Sequence, residues 1–65
     1  MSMDTLAALL GTDDLPGSET ERAVLARRIE ELARLNGEQW VIDHRRKLIR
    51  EWAFIVERGI IQQPM

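Results

Sequence analysis

EQWVIDHRRKLIREWAFIVER, residues 38–58, is the stretch on which the fold turns. It holds neither proline nor glycine, so it predicts one helix of roughly 21 residues, about 30 Å long at ~1.5 Å per residue. On a helical projection of about 100° per residue, Val41, Leu48, Trp52 and Ile55 form one apolar stripe. Ile42, Ile49, Ala53, Val56 and Ile60 form a second stripe beside it. Trp40 and Phe54 fall together on the opposite side, so the helix is apolar nearly all round between Trp52 and Val56. One partner helix covers only a narrow seam of such a surface. Something further has to cover the rest.

Working outward, Asn36-Gly37 supplies residues that tolerate positive φ at a helix C-terminus. The preceding helix starts at Ser18, where Ser-x-x-Glu with Glu21 makes a capping box. Its apolar face carries Leu25, Ile29 and Leu32, with Ala26, Ala33 and Leu35 beside them. Arg27 to Glu31 and Glu30 to Arg34 are i, i+4 pairs on the other side. So short a connection predicts an antiparallel helical hairpin over 18–60, one continuous bent helix being the alternative. Upstream, residues 11–17 concentrate turn formers. They set off a short helix capped by Asp4 or Ser2 and carrying Leu6, Leu9 and Leu10, so residues 1–17 form a leader of helix plus Pro/Gly loop. Two turns of helix are unstable alone in water, so this segment must dock on the main body, dock on a partner, or fray. Residues 61–65 read as a loose tail.

The fold class is therefore all-α: two long antiparallel helices plus a short N-terminal helix. Sixty-five residues make one domain with a marginal core, and no cysteine is present to staple it. Symmetric pairing of two hairpins into a four-helix bundle answers both the small core and the surplus apolar face. The expected homodimer interface is Val41, Leu48, Trp52, Ile55 and Val56. In the competing arrangement the leader folds back, and Leu6, Leu9, Leu10 and Leu15 cover the surplus within one chain.

Composition restricts function. Net charge is −2, so there is no overall attraction to polyanions or anionic lipid. No apolar run approaches the ~20 residues that span a bilayer, and Met1 to Leu10 lack the leading cations of a signal peptide, so a cytoplasmic location and no membrane partner are expected. His44 is the single histidine, and Trp40, Val41, Lys47 and Leu48 occupy the helical positions where a second metal ligand belongs. Ser2, Thr5, Thr12, Ser18 and Thr20 are remote from His44 in sequence, so no nucleophile meets a base. Asp13-Asp14 and Glu30-Glu31 read as solvated pairs. No enzyme, metal or cofactor is expected.

One basic cluster remains, Arg45, Arg46, Lys47 and Arg50, the candidate nucleic-acid contacts. Asp43, Glu51 and Glu57 interrupt it, whereas phosphate binding wants an unbroken positive strip. A helix-turn-helix register begun at Ile29 suits Ala33 and Gly37 but puts Asp43 and Arg46 where the recognition helix should pack. The favoured reading is a non-catalytic protein-interaction module that self-associates and offers Trp40, Lys47, Arg50 and Phe54 to a protein partner. Aromatic and arginine side chains are what binding hot spots are rich in. A small DNA-binding regulator is the alternative.

Overall fold

A computed structural model describes residues 1–59, which form four helices and no strand. Ile60 and the tail expected over 61–65 lie outside the described residues. Helix α1 is Met3–Leu10, α2 is Glu19–Asn36, α3 is Glu38–Asp43 and α4 is Arg45–Arg58.

The ends form where local chemistry requires. Ser2, not Asp4, caps α1 by accepting the Thr5 N–H at 3.2 Å. Both halves of the capping box close α2: Glu21 N–H donates to Ser18 Oγ at 3.2 Å and Ser18 N–H donates to Glu21 Oε1 at 2.8 Å. At its other end Gly37, with φ +94°, lets its N–H donate to Ala33 O at 2.8 Å before the chain turns. On the outer face of α2 the charges pair differently from the i, i+4 expectation. Arg34 bonds Glu31 at i, i+3, and Glu30 instead takes the Met1 amine at 2.6 Å.

The second arm is not one helix. At His44 the backbone leaves the helical region, with φ −104° and ψ 10°. The cause is competition for one carbonyl. Trp40 O accepts the His44 N–H at 3.1 Å and also the His44 ring at 2.7 Å. A carbonyl only accepts, so Nδ1 carries the proton. The ring stacks on Trp40 at 4.1 Å, the main-chain N–H is shared with Val41 O, and the turn tightens. The Leu48 N–H still reaches His44 O at 3.0 Å, so the arm resumes as α4. The shorter α3 makes the closer backbone approach to α2, while α4 meets α2 through side chains.

The core is closed within a single chain by the leader. Helix α1 touches all three other helices, and its Leu6, Leu9 and Leu10 are buried together with Leu15 of the loop. Leu6, Leu25, Ile29 and Val41 are the fully buried large side chains at its centre. Trp52 joins them with its indole N–H donating to Pro16 O at 2.9 Å, which pins the loop over the end of α4. Gly17 sits in that loop at φ +108°, where an added Cβ would lie 3.2 Å from Glu21 Cβ and 3.4 Å from Val56 Cγ2. The proximity of Val56 to the start of α2, and of Leu48 to Leu32 further along, makes α4 antiparallel to α2. Fold-back of residues 1–17, the competing arrangement, is thus the one this chain adopts.

Candidate interaction surface

Closure of the core by α1 divides the residues expected at a dimer interface. Val41 and Trp52 are 0% and 2% exposed, already covered by their own chain. Leu48, Ile55 and Val56 are half-buried and pack against the core from outside. Of the expected partner surface, Trp40 is half-buried and Lys47, Arg50 and Phe54 are exposed. Phe54, at 52% exposure, is the most exposed aromatic among the described residues.

These exposed groups lie along one continuous face. Between α2 and α4 the seam of Leu25, Ile29, Leu48, Trp52 and Ile55 is tightly closed, with Arg28 and Glu51 at its lip. Outside it runs a groove of about 230 Å³ floored by Leu32, Leu48 and Trp40 and edged by Arg28, Lys47 and Glu51. Next along α4 comes a shallow recess formed by Arg50, Glu51, Phe54 and Ile55. Glu51 borders all three, so seam, groove and recess are one surface.

Two local contacts stiffen this face. At one end Trp40 and His44 stack, and at the other the Arg58 guanidinium sits 4.8 Å above the centre of the Phe54 ring. Neither contact was anticipated from the sequence. Each is an i, i+4 aromatic pairing, and that spacing was the available signal.

The possible nucleic-acid contacts do not converge. Arg45, Arg46, Lys47 and Arg50 are all exposed, but consecutive helical residues point about 100° apart. Arg45 lies along the end of α1, its side chain 3.7 Å from where a Cβ on Gly11 would be. Lys47 and Arg50 belong to the outer face of α4, beside the carboxylate of Glu51. The resulting surface is of mixed sign.

His44 spends Nδ1 on the Trp40 carbonyl, and the hydroxyls of Ser2, Thr12 and Ser18 accept backbone N–H groups at turns and helix starts. Among the described residues no cluster of three His, Cys, Asp or Glu side chains could hold a metal ion. No helix among them is long and apolar enough to cross a membrane. A wider cleft among the described residues, about 710 Å³, lies at the amino terminus between Met1, Glu30, Glu31, Arg27 and Arg34. There the bond from the Met1 amine holds the Glu30 carboxyl below its ordinary pKa, with Arg27 and Arg34 adding to the effect. No family model, curated protein or solved structure matches the chain.

Proposed function

We propose that this chain is a non-catalytic protein-interaction module, a small self-associating helical adaptor or regulator working through the outer face of α4. The observation that carries the reading is the continuous face from Trp40 to Phe54. It holds an aromatic at each end and the half-buried Leu48 and Ile55 along its inner edge. Large aromatics left at the surface of a chain with a closed core are the anchors a protein interface uses, and flanking arginines are enriched beside them.

Self-association therefore rests on Leu48, Ile55, Phe54 and Trp40 rather than on Val41 and Trp52, whose surface is spent inside the fold. The test is molar mass by sedimentation equilibrium from micromolar to millimolar concentration, on the full chain and on Phe54→Ala. Mass should rise above the 7.5 kDa of one chain with concentration, and Phe54→Ala should suppress the rise while its helical circular dichroism stays unchanged. A chain that stays at 7.5 kDa at millimolar concentration overturns self-association.

A further inference from the structure

Resting on that reading, we infer that the surface taken up by the outer face is the same face of a second copy, the two α4 helices lying antiparallel about a twofold axis level with residue 49.

The line of α3 and α4 on this face is Trp40, His44, Lys47, Glu51, Phe54 and Arg58, residues three or four apart along one side of a helix, of which Trp40 and His44 are half-buried and the other four exposed. Reflected about position 49, this line maps onto itself. Trp40 and Arg58 are equally far from that position, as are His44 and Phe54, and Lys47 and Glu51. A twofold axis there brings each residue against the second copy's member of its pair. A guanidinium meets an indole face, an imidazole meets a phenyl ring, and an ammonium meets a carboxylate, each contact made twice.

The structure leaves the central charges free for this. Lys47 and Glu51 are both exposed, and neither belongs to an ion pair among the described residues. Within one helix a lysine placed four residues before a glutamate is the weaker orientation, so their own i, i+4 spacing does little to satisfy them. A parallel pairing in register would set Lys47 against Lys47 and Glu51 against Glu51, whereas the antiparallel one turns both repulsions into attractions. The rim residues are already ordered, by the Trp40–His44 stack and by Arg58 on Phe54, so docking immobilises fewer free side chains. The bend at His44 does not break the line, because the Trp40–His44 and His44–Leu48 hydrogen bonds carry the helical path through it.

Charge reversal tests the register. Sedimentation equilibrium is run on the wild type, Lys47→Glu, Glu51→Lys, an equimolar mixture of those two, and the Lys47→Glu/Glu51→Lys double variant. Circular dichroism checks that each is folded, as exposed positions allow. Each single reversal should weaken self-association by about tenfold or more, since two attractions become two repulsions. The mixture should dimerise again, because one copy then offers only carboxylates and the other only amines at these positions. The double variant should recover wild-type behaviour. A wild type that dimerises while both single variants match it, or a mixture no better than its components, overturns this register and leaves self-association standing. A wild type that never dimerises removes both.

Discussion

Trp52→Ala should come close to unfolding this protein, whereas Phe54→Ala, two residues on, should leave its stability nearly unchanged. Trp52 is 2% exposed, lies against Leu25 and Ile29 across the seam, and donates its indole N–H to Pro16 O at 2.9 Å. Truncating a buried aromatic costs about 3–5 kcal/mol, through lost transfer energy and the cavity left behind. Pro16 is only half-buried, so water can take over its carbonyl and the lost hydrogen bond adds no more than about 1 kcal/mol. At roughly 0.05–0.15 kcal/mol per residue a chain of this length has a total stability of about 3–10 kcal/mol, so the loss is comparable to the whole. Phe54 is 52% exposed and gives up little more than its contact with Arg58, about 0.5–1 kcal/mol at an exposed site. Urea melts followed by circular dichroism, at concentrations low enough to keep the chain monomeric, separate the two. Trp52→Phe, which keeps most of the ring but loses the donor, should fall between them. Equal midpoints for Trp52→Ala and Phe54→Ala would show that the leader does not seal Trp52 into the core, and the division between inner and outer faces of α4 would fail.

Gly17→Ala should cost about 1–3 kcal/mol in the same melts, because φ +108° is strained for any L side chain and the new Cβ meets Glu21 and Val56. Gly37→Ala, at φ +94° with open space around it, reports the backbone strain alone, so a Gly17→Ala loss no greater than that of Gly37→Ala refutes close packing of the loop on α4. The Glu30 carboxyl should titrate below its ordinary value of 4.5 in NMR, and acetylating the Met1 amine should return it toward that value. Since folding lowers this pKa, the stability it contributes is present above 4.5 and lost as pH falls through the folded value; an unmoved titration after acetylation would refute the ion pair. Duplex DNA at low salt should give no binding, because Arg45, Arg46, Lys47 and Arg50 point around the helix among carboxylates; tight binding that weakens steeply with salt would restore the regulator reading.

The elements of this fold were legible wherever a local rule governs them. The Ser18–Glu21 capping box, the Gly37 terminus and the loop of residues 11–17 depend on backbone donors and on φ, which few residue types satisfy, so the sequence declares them. The break at His44 was not legible. It comes from a histidine ring reaching back to a carbonyl four residues earlier, and histidine is not a residue whose presence in a helix signals a break. Whether the leader or a second copy covers Val41 and Trp52 could not be read either. An amphipathic face records how much surface must be buried, not which apolar surface buries it, and Leu6, Leu9, Leu10 and Leu15 fit their own α4 as well as a second hairpin would. The candidate surface was half visible: Phe54 and Lys47 stand outside as periodicity requires, but the place of Glu51 at its centre emerges only with the grooves on either side.

The same accounting of apolar area explains why a chain this small can keep aromatics outside. A bare hairpin of α2 with α3 and α4 would have to hide Val41 and Trp52 against a second copy, and that obligate contact would leave the opposite side of α4 as an ordinary solvated face. By supplying four leucines from residues 1–17, the leader makes the core complete in one chain and removes that obligation. What remains on α4 is therefore not surplus core. Phe54 is exposed on the far side of α4 from Trp52, with the half-buried Trp40 of α3 at the other end of the groove, and the neighbours Lys47, Arg50 and Glu51 are polar, as at the charge-bordered interfaces of proteins that fold first and associate afterwards. Association through such a face is separable from folding. On the proposed reading that separability is what the contrast between Trp52 and Phe54 measures, and it is why charge reversal at Lys47 and Glu51 should alter self-association without touching the fold.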